Sequence, residues 1–273
     1  MKNEWNDWKY SLYRNAWRYS GPPHEEQKLD KEAYDNLLRM GGLLVRNTYD
    51  FDCQEETCFW HVIKDQFEGM EELTSKTRNR INKAFDHLEF KLIDRSTVQS
   101  QGYPILKATY EDYAVSDRAM STEVFEEYFN RFYTKDCDCW GIYDKADGQL
   151  VGFQVNWLWD DACQYDLIGI LPKYKRNQTF PYYGLFYTMN QYYLQEKGLK
   201  YVTDGSRSVS EHSNIQPFMI EKFNFRKAYC KLEVHYRWWM KTVVNLLYPF
   251  RNIITIPSVK AILNMEAMQR GKK

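Results

Sequence analysis

Between Asp138 and Leu171 the chain lays down three apolar, β-branched and aromatic runs with almost nothing between them. Asp138–Asp144 and Gln149–Trp159 flank Lys145-Ala146-Asp147-Gly148, where Asp-Gly is a strong hairpin signal. Asp160-Asp161 turns the chain again into Cys163–Leu171, which Pro172 ends. Connections this short join antiparallel neighbours. The period then changes. Tyr182, Leu185, Phe186, Met189 and Tyr193 recur three and four apart, a helical stripe stopped by Gly198. Lys200–Asp204 reads as a strand. Ile215, Phe218, Met219 and Phe223 form a helix that Ser213 or Asn214 caps, and Arg226–Tyr236 is a final strand. An antiparallel run followed by helix, strand, helix and strand makes an α+β chain with a mixed, mostly antiparallel sheet flanked by helices.

Upstream the pattern is looser. Trp5, Trp8, Leu12 and Ala16 stand at helical spacing, and Gly21-Pro22-Pro23 ends that segment. Asp30 caps a second helix that carries Ala33, Tyr34, Leu37 and Leu38, with Gly41-Gly42 as its stop. These residues form a helical N-terminal extension, 1–42. Leu43–Tyr49 and Thr57–Ile63 are strand patterns. Met70, Leu73, Thr77, Ile81, Ala84 and Leu88 mark a helix whose basic residues, Arg78, Arg80 and Lys83, suit its C-terminal end. Glu89–Asp94 reads as a strand, the stretch to about Tyr113 as a loop with a short helix, and Thr122 as the cap of a helix bearing Phe125 and Phe129. His61 and His235 fall in strand patterns and are expected to be packed.

Lys and Arg number 37, matched by 37 Asp and Glu, so the basic surplus of an ordinary nucleic-acid binder is missing. Aromatic residues make up 17% of the chain, enough to edge a core with hydroxyls or to line a groove for an acyl, sugar or base surface. Six cysteines without an apolar leader read as reduced thiols of a cytoplasmic protein. Cys137-Asp138-Cys139 lacks the gap and the second pair of a zinc site, so no metal is expected. The longest uncharged run, Asn177 to Gln195, is too polar to span a membrane.

The order of elements over 89–236 is similar to that of the GNAT N-acetyltransferase fold, and three segments support it. Ile168-Gly169-Ile170-Leu171-Pro172-Lys173-Tyr174-Lys175-Arg176 resembles that family's central strand and its exit. Leu194-Gln195-Glu196-Lys197-Gly198-Leu199-Lys200-Tyr201 resembles the helix end and glycine before its fifth strand. Glu221-Lys222-Phe223-Asn224-Phe225-Arg226-Lys227 resembles its terminal Lys-x-Gly-Phe-Arg signature, with Asn224 where glycine is usual; Asn tolerates the left-handed backbone such a site needs. Leu73–Glu89 also resembles a helix of Fem-type aminoacyltransferases, relatives built from two such domains. The GNAT-like domain is taken as 43–236, followed by a tail, 237–273.

The resemblance implies an acyltransferase that takes an acyl or aminoacyl group from acyl-CoA or, in the Fem-type variant, aminoacyl-tRNA. The acceptor would be an amine or hydroxyl of a small molecule or cell-envelope precursor. Family members that bind acyl-CoA hold its pyrophosphate on bare N–H groups of a glycine-rich loop and the positive end of a helix. Here the loop from Lys173 to Gly184 has one glycine, and Pro181 supplies no N–H. Lys173, Lys175 and Arg176, with Ile170 and Gly184, are the candidate donor contacts. The alternative is a solvated loop on a non-catalytic ligand-binding module that has lost its cofactor. The Tyr with which many GNAT enzymes protonate their leaving thiolate falls on Ile220, leaving His212, Tyr229 and Tyr236 as nearby donors.

Acyl transfer also needs a base and an oxyanion site. The fold's splayed central strand offers N–H groups near Ile168–Leu171. Asp204-Gly205-Ser206-Arg207, followed by Glu211-His212, is the densest polar group beside that cleft. In the functional reading His212 is a base oriented by Asp204 or Glu211, and Ser206 and Arg207 hold an anionic substrate; in the other, the segment is a turn and a helix cap. Asp166 is either a base acting through water or a solvent-facing strand residue. Lys76, Arg80, Lys83 and His87 share a helix face that is either a tRNA or phosphate site or simply solvated. Tyr182-Tyr183, Phe186-Tyr187 and Tyr192-Tyr193 line a groove or pack a core. In the tail, seven basic residues face one acid, Glu266, around an apolar stripe, a composition suited to peripheral membrane contact or to packing on the domain.

Overall fold

The computed structural model describes residues 4–5, 8–11, 15–112, 120–131, 136–209 and 215–272. Along the chain come strands β1 (Glu4–Trp5), β2 (Trp8–Ser11) and β3 (Ala16–Tyr19), helix α1 (Lys31–Met40), and strands β4 (Leu44–Tyr49) and β5 (Phe59–Lys64). Helix α2 (Ser75–His87), strand β6 (Leu88–Ile93) and helices α3 (Arg95–Glu111) and α4 (Thr122–Arg131) follow. Next are β7 (Cys137–Asp144), β8 (Leu150–Leu158) and β9 (Ala162–Ile170), then α5 (Pro172–Arg176) and α6 (Pro181–Asn190), which continues as a π-helical turn, Gln191–Glu196. Strand β10 (Tyr201–Ser206), α7 (Ile215–Phe223) and β11 (Arg226–Tyr236) lead to α8 (Trp238–Leu247) and α9 (Pro257–Gln269).

Two compact units divide the chain: Met1–His61 with Ser206–Ser213 and Lys227–Lys273, and Val62–Gly205 with Asn214–Arg226. In the first, β1, β2 and β3 are antiparallel, β3 runs parallel to β4, and β4 is antiparallel to β11. Asp30 caps α1 as its sequence predicts, accepting from the Ala33 N–H at 2.8 Å. Tyr34 and Leu37 of α1 meet Trp8, Trp17 and Val45 in a buried cluster. The helix expected through Trp5, Trp8, Leu12 and Ala16 is not formed; the described residues there are strands. The reason lies in the pairing. Trp8 and Tyr10 alternate inward with period two, Tyr10 packs on Trp17 at 5.3 Å, and Asn15 turns the chain at φ 47°. His235 stacks on Tyr34 at 3.6 Å, and His61 meets the edges of Phe51 and Phe59, so both are packed.

The second unit carries the GNAT-like order. Strands β6, β7, β8 and β9 form an antiparallel meander, and β10 joins β9 in parallel. Phe153 and Val155 of β8 face α3 and α4, where Val98, Leu106, Phe125 and Phe129 close over them. The alternate residue Asn156 faces the opposite side, toward Met189 and Tyr193. Helix α3 is one 17-residue helix over the stretch expected to be a loop with a short helix. A Cβ at Gly102 would lie 3.1 Å from the Phe153 ring and 3.0 Å from Val98, so this glycine admits close packing and tertiary contact overrides propensity. Asn224 takes φ 55°, the left-handed backbone expected of it. Among the described residues no helix is long and apolar enough to cross a membrane, and no group of His, Cys, Asp and Glu gathers as a metal ion requires.

Candidate active site

Strands β9 and β10 begin side by side, with Tyr201 opposite Ala162, Val202 opposite Cys163 and Thr203 opposite Gln164. There the pairing stops. Strand β8 accompanies β9 as far as Ile170, so the other edge of β9 opens from Tyr165 onward. Val155 lies opposite Leu167 and Asn156 opposite Tyr165, which leaves Asp166 as an extra residue. That is a β-bulge, and it bends the strand where the two strands part.

An open strand edge carries backbone donors that need partners. At Ile170 the partner is already present: its N–H donates to Thr109 Oγ1 at 2.9 Å, and the same hydroxyl lies 3.0 Å from its carbonyl oxygen. By strand alternation the N–H of Ile168 points to the same side. The Ile170 N–H is thus already engaged, and Ile168 is the next residue of β9 whose N–H faces that edge.

Asp204 follows Thr203, the last residue of β10 that pairs with β9. Loss of solvent pushes its carboxyl up to about 7; a hydrogen bond with Gln216 of α7 pulls the other way, and the negative charge of Asp166 adds to the rise. The charge of Asp166 thus reaches the Asp204 carboxyl beyond the point where the two strands part. Asp166 itself is exposed and accepts from Trp157 Nε1 at 3.2 Å. Aromatic rings build the neighbouring wall. Tyr165 stacks on Phe186 at 5.9 Å and donates its hydroxyl to Asn190 Oδ1 at 2.8 Å. Tyr182 stacks on the same ring at 6.1 Å, and Phe218 of α7 stands edge-on to Tyr182 and Tyr183.

The start of α6 is where a phosphate would be held in this architecture. Phe180 precedes it with φ 49°, Pro181 has no N–H, and the N–H groups of Tyr183 and Gly184 turn back to the Phe180 carbonyl. No cradle of bare donors is built. Positive charge comes instead from α2. Arg80 donates to the Tyr183 hydroxyl, and its guanidinium lies 5.2 Å from the Phe180 ring centre; Lys83 Nζ lies 6.0 Å from that ring. Lys175 and Arg176 both pair with Asp112, the former at 3.1 Å, and the Lys175 hydrogen bond leads in holding that carboxyl below its usual range. Lys173 reaches over the Tyr174 ring at 4.7 Å. Gly184 is buried in the helix, where a Cβ would collide with the Phe90 ring and come within 3.0 Å of Ala84.

Three other expected residues fall in the first unit. Ser206 ends β10. Arg207 donates to the Cys58 carbonyl at 2.6 Å and stacks on Trp60 at 4.3 Å. Tyr229 donates to Glu56 at 3.0 Å, and burial together with that carboxylate raises its hydroxyl above the ordinary range. His212 and Glu211 lie outside the described residues. A buried polar network, unannounced by residue order, centres on Tyr193. Trp140 Nε1 at 2.9 Å and Asn156 Nδ2 at 3.1 Å donate to the Tyr193 hydroxyl, which donates to Asp138 at 3.1 Å. Its visible signal was the polar pair Gln154 and Asn156 inside an otherwise apolar strand.

No family model matches the sequence, and no curated protein matches it. Among solved structures the chain is similar to FemX, with a TM-score of 0.57 at 10% identity over 88% of this chain and 85% of that one. It is also similar to the C-terminal domain of a putative lysylphosphatidylglycerol synthetase from Agrobacterium fabrum, with a TM-score of 0.53 at 12% identity over 88% and 85% of the two chains. L-PGS from Bacillus licheniformis gives 0.50 at 13% identity, over 89% and 77%. At such identities the likeness is one of fold, and the fold is GNAT-like, of the Fem type.

Proposed function

From a GNAT-like, Fem-type fold as the premise, we propose that this chain is a transferase moving an acyl or aminoacyl group from a phosphate-bearing donor to an amine or hydroxyl. The observation that carries the reading is the parting of β9 from β10 after Thr203, with the Asp166 bulge and the carboxyl of Asp204 at its mouth. In this reading Asp204 takes a proton from the attacking amine or hydroxyl. The acceptor then bonds to the donor's carbonyl carbon, and the Ile168 N–H receives the negative charge that gathers on the carbonyl oxygen. The carbonyl re-forms as the bond to the leaving thiolate or ribose oxygen breaks, and that group takes up a proton. Tyr182, Phe186 and Phe218 seat the transferred group.

Of the two donors, aminoacyl-tRNA is favoured over acyl-CoA. The helix start lacks the backbone cradle that a pyrophosphate uses, while Arg80, Lys83 and Lys173 offer side-chain charge of the kind a polyanion engages. The fold's likeness to FemX and to the synthetase domains supports that choice. A cell-envelope precursor or a lipid fits the acceptor side, and the reaction belongs on the cytoplasmic side, where charged tRNA and CoA are found.

Equilibrium binding of aminoacyl-tRNA, deacylated tRNA, acetyl-CoA and a long-chain acyl-CoA tests this. Aminoacyl-tRNA is expected to bind, and Arg80→Ala to weaken it by roughly tenfold, the effect of removing one charge-assisted hydrogen bond. Binding of acyl-CoA alone would transfer the same cleft to the other donor. Binding of neither would leave a non-catalytic module and overturn the proposal.

A further inference from the structure

Helix α8 has two apolar faces, and only one of them is covered. Met240 and Val244 are buried against Leu263 and Ala267 of α9, with Tyr248 just beyond the helix. A second stripe, Trp239, Val243, Leu246 and Phe250, runs beside it at spacings of four, three and four, the period of one helical face. These side chains are exposed, Leu246 at 68% and Phe250 at 55%, and Ile253 carries the patch onward at 75%. Among the described residues nothing covers this second stripe.

The charge around the stripe identifies what covers it. From Arg237 to Lys272 the only acid is Glu266, which is buried and bonded to Arg270 at 2.7 Å. Every other charge in that span is positive, and Lys241 and Lys260 are exposed. The whole chain is neutral, so this surplus is local. An exposed apolar stripe that begins at Trp239, in a segment whose exposed charges are all positive, matches the boundary of an anionic bilayer, where indole rings sit at headgroup depth and each basic residue adds about 1 kcal/mol near the surface. We propose that the exposed face of α8, with the segment to Ile256, docks this protein on an anionic lipid surface.

The test uses the full chain and lipid vesicles with no donor or acceptor present, so it is independent of the proposed reaction. Vesicles containing phosphatidylglycerol are expected to bind the protein and blue-shift its tryptophan emission; phosphatidylcholine vesicles are not. Leu246→Asp with Phe250→Asp is expected to weaken binding by roughly a hundredfold, about tenfold for each apolar side chain withdrawn from the bilayer, with melting temperature unchanged because both side chains are solvated. Should that pair disturb folding, Lys241→Glu with Lys260→Glu lowers the positive charge of the same segment, and added salt should weaken the parent in the same way. Equal affinity for both vesicles, unchanged binding by the variants, or a stripe that instead joins two copies of the chain in the absence of lipid would overturn the proposal.

Discussion

Replacing Asp204 with Asn is expected to lower turnover by about a hundredfold or more, the scale of a missing general base, while raising the melting temperature. The two effects share one cause. The folded chain holds this carboxyl at about 7 against an ordinary 3.8, chiefly by removing solvent. Between those values the folded state binds a proton that the unfolded state has released, so stability falls as pH rises through that window. Asn cannot ionise, and at neutral pH the variant recovers about 1–3 kcal/mol, discounted because the group keeps some solvent. The parent's rate should climb as pH passes about 7, where the base becomes available, and the variant should lose that limb. Initial rates across pH, with thermal melts of both proteins, check the pair of effects. Turnover within about twofold of the parent would remove Asp204 from the chemistry.

Tyr193→Phe removes a single oxygen and should still cost about 2–4 kcal/mol. That oxygen accepts from Trp140 and Asn156 and donates to Asp138, all inside the second unit. Without it the indole N–H is left buried with no acceptor, and the Asp138 carboxyl, already raised by burial, loses the bond that restrains it. The neighbouring Tyr192→Phe should cost less than about 1 kcal/mol, since that ring is half-buried and anchors no such network. Urea denaturation of the two variants gives the comparison; equal costs would mean that the network does not stabilise the core.

Much of the second unit could be read from residue order because its signals are local. The Asp147-Gly148 turn, the stop at Gly198 and the left-handed Asn224 each act within a few residues of where they stand. The N-terminal strands were hidden for the opposite reason. Trp5, Trp8, Leu12 and Ala16 mimic a helical face, but β3 is held by β4, 28 residues away in the register Ala16 to Leu44. Helix α3 carries Gly102, whose tolerance depends on close contact with the distant Phe153. The same division runs through the site. Asp204 was visible as the polar end of a strand pattern and Asp166 as a charged residue midway along one. Thr109 closing the Ile170 N–H, 61 residues away, was not, nor was the meeting of Arg80 with Tyr183.

Amide hydrogen exchange of the full chain, with and without aminoacyl-tRNA and with and without acyl-CoA, reports whether the opening between β9 and β10 receives the donor. The bound donor is expected to slow exchange at Ile168 and over residues 165–170, and at the first turn of α6. A donor that binds while leaving those amides unchanged would contradict this placement of the donor.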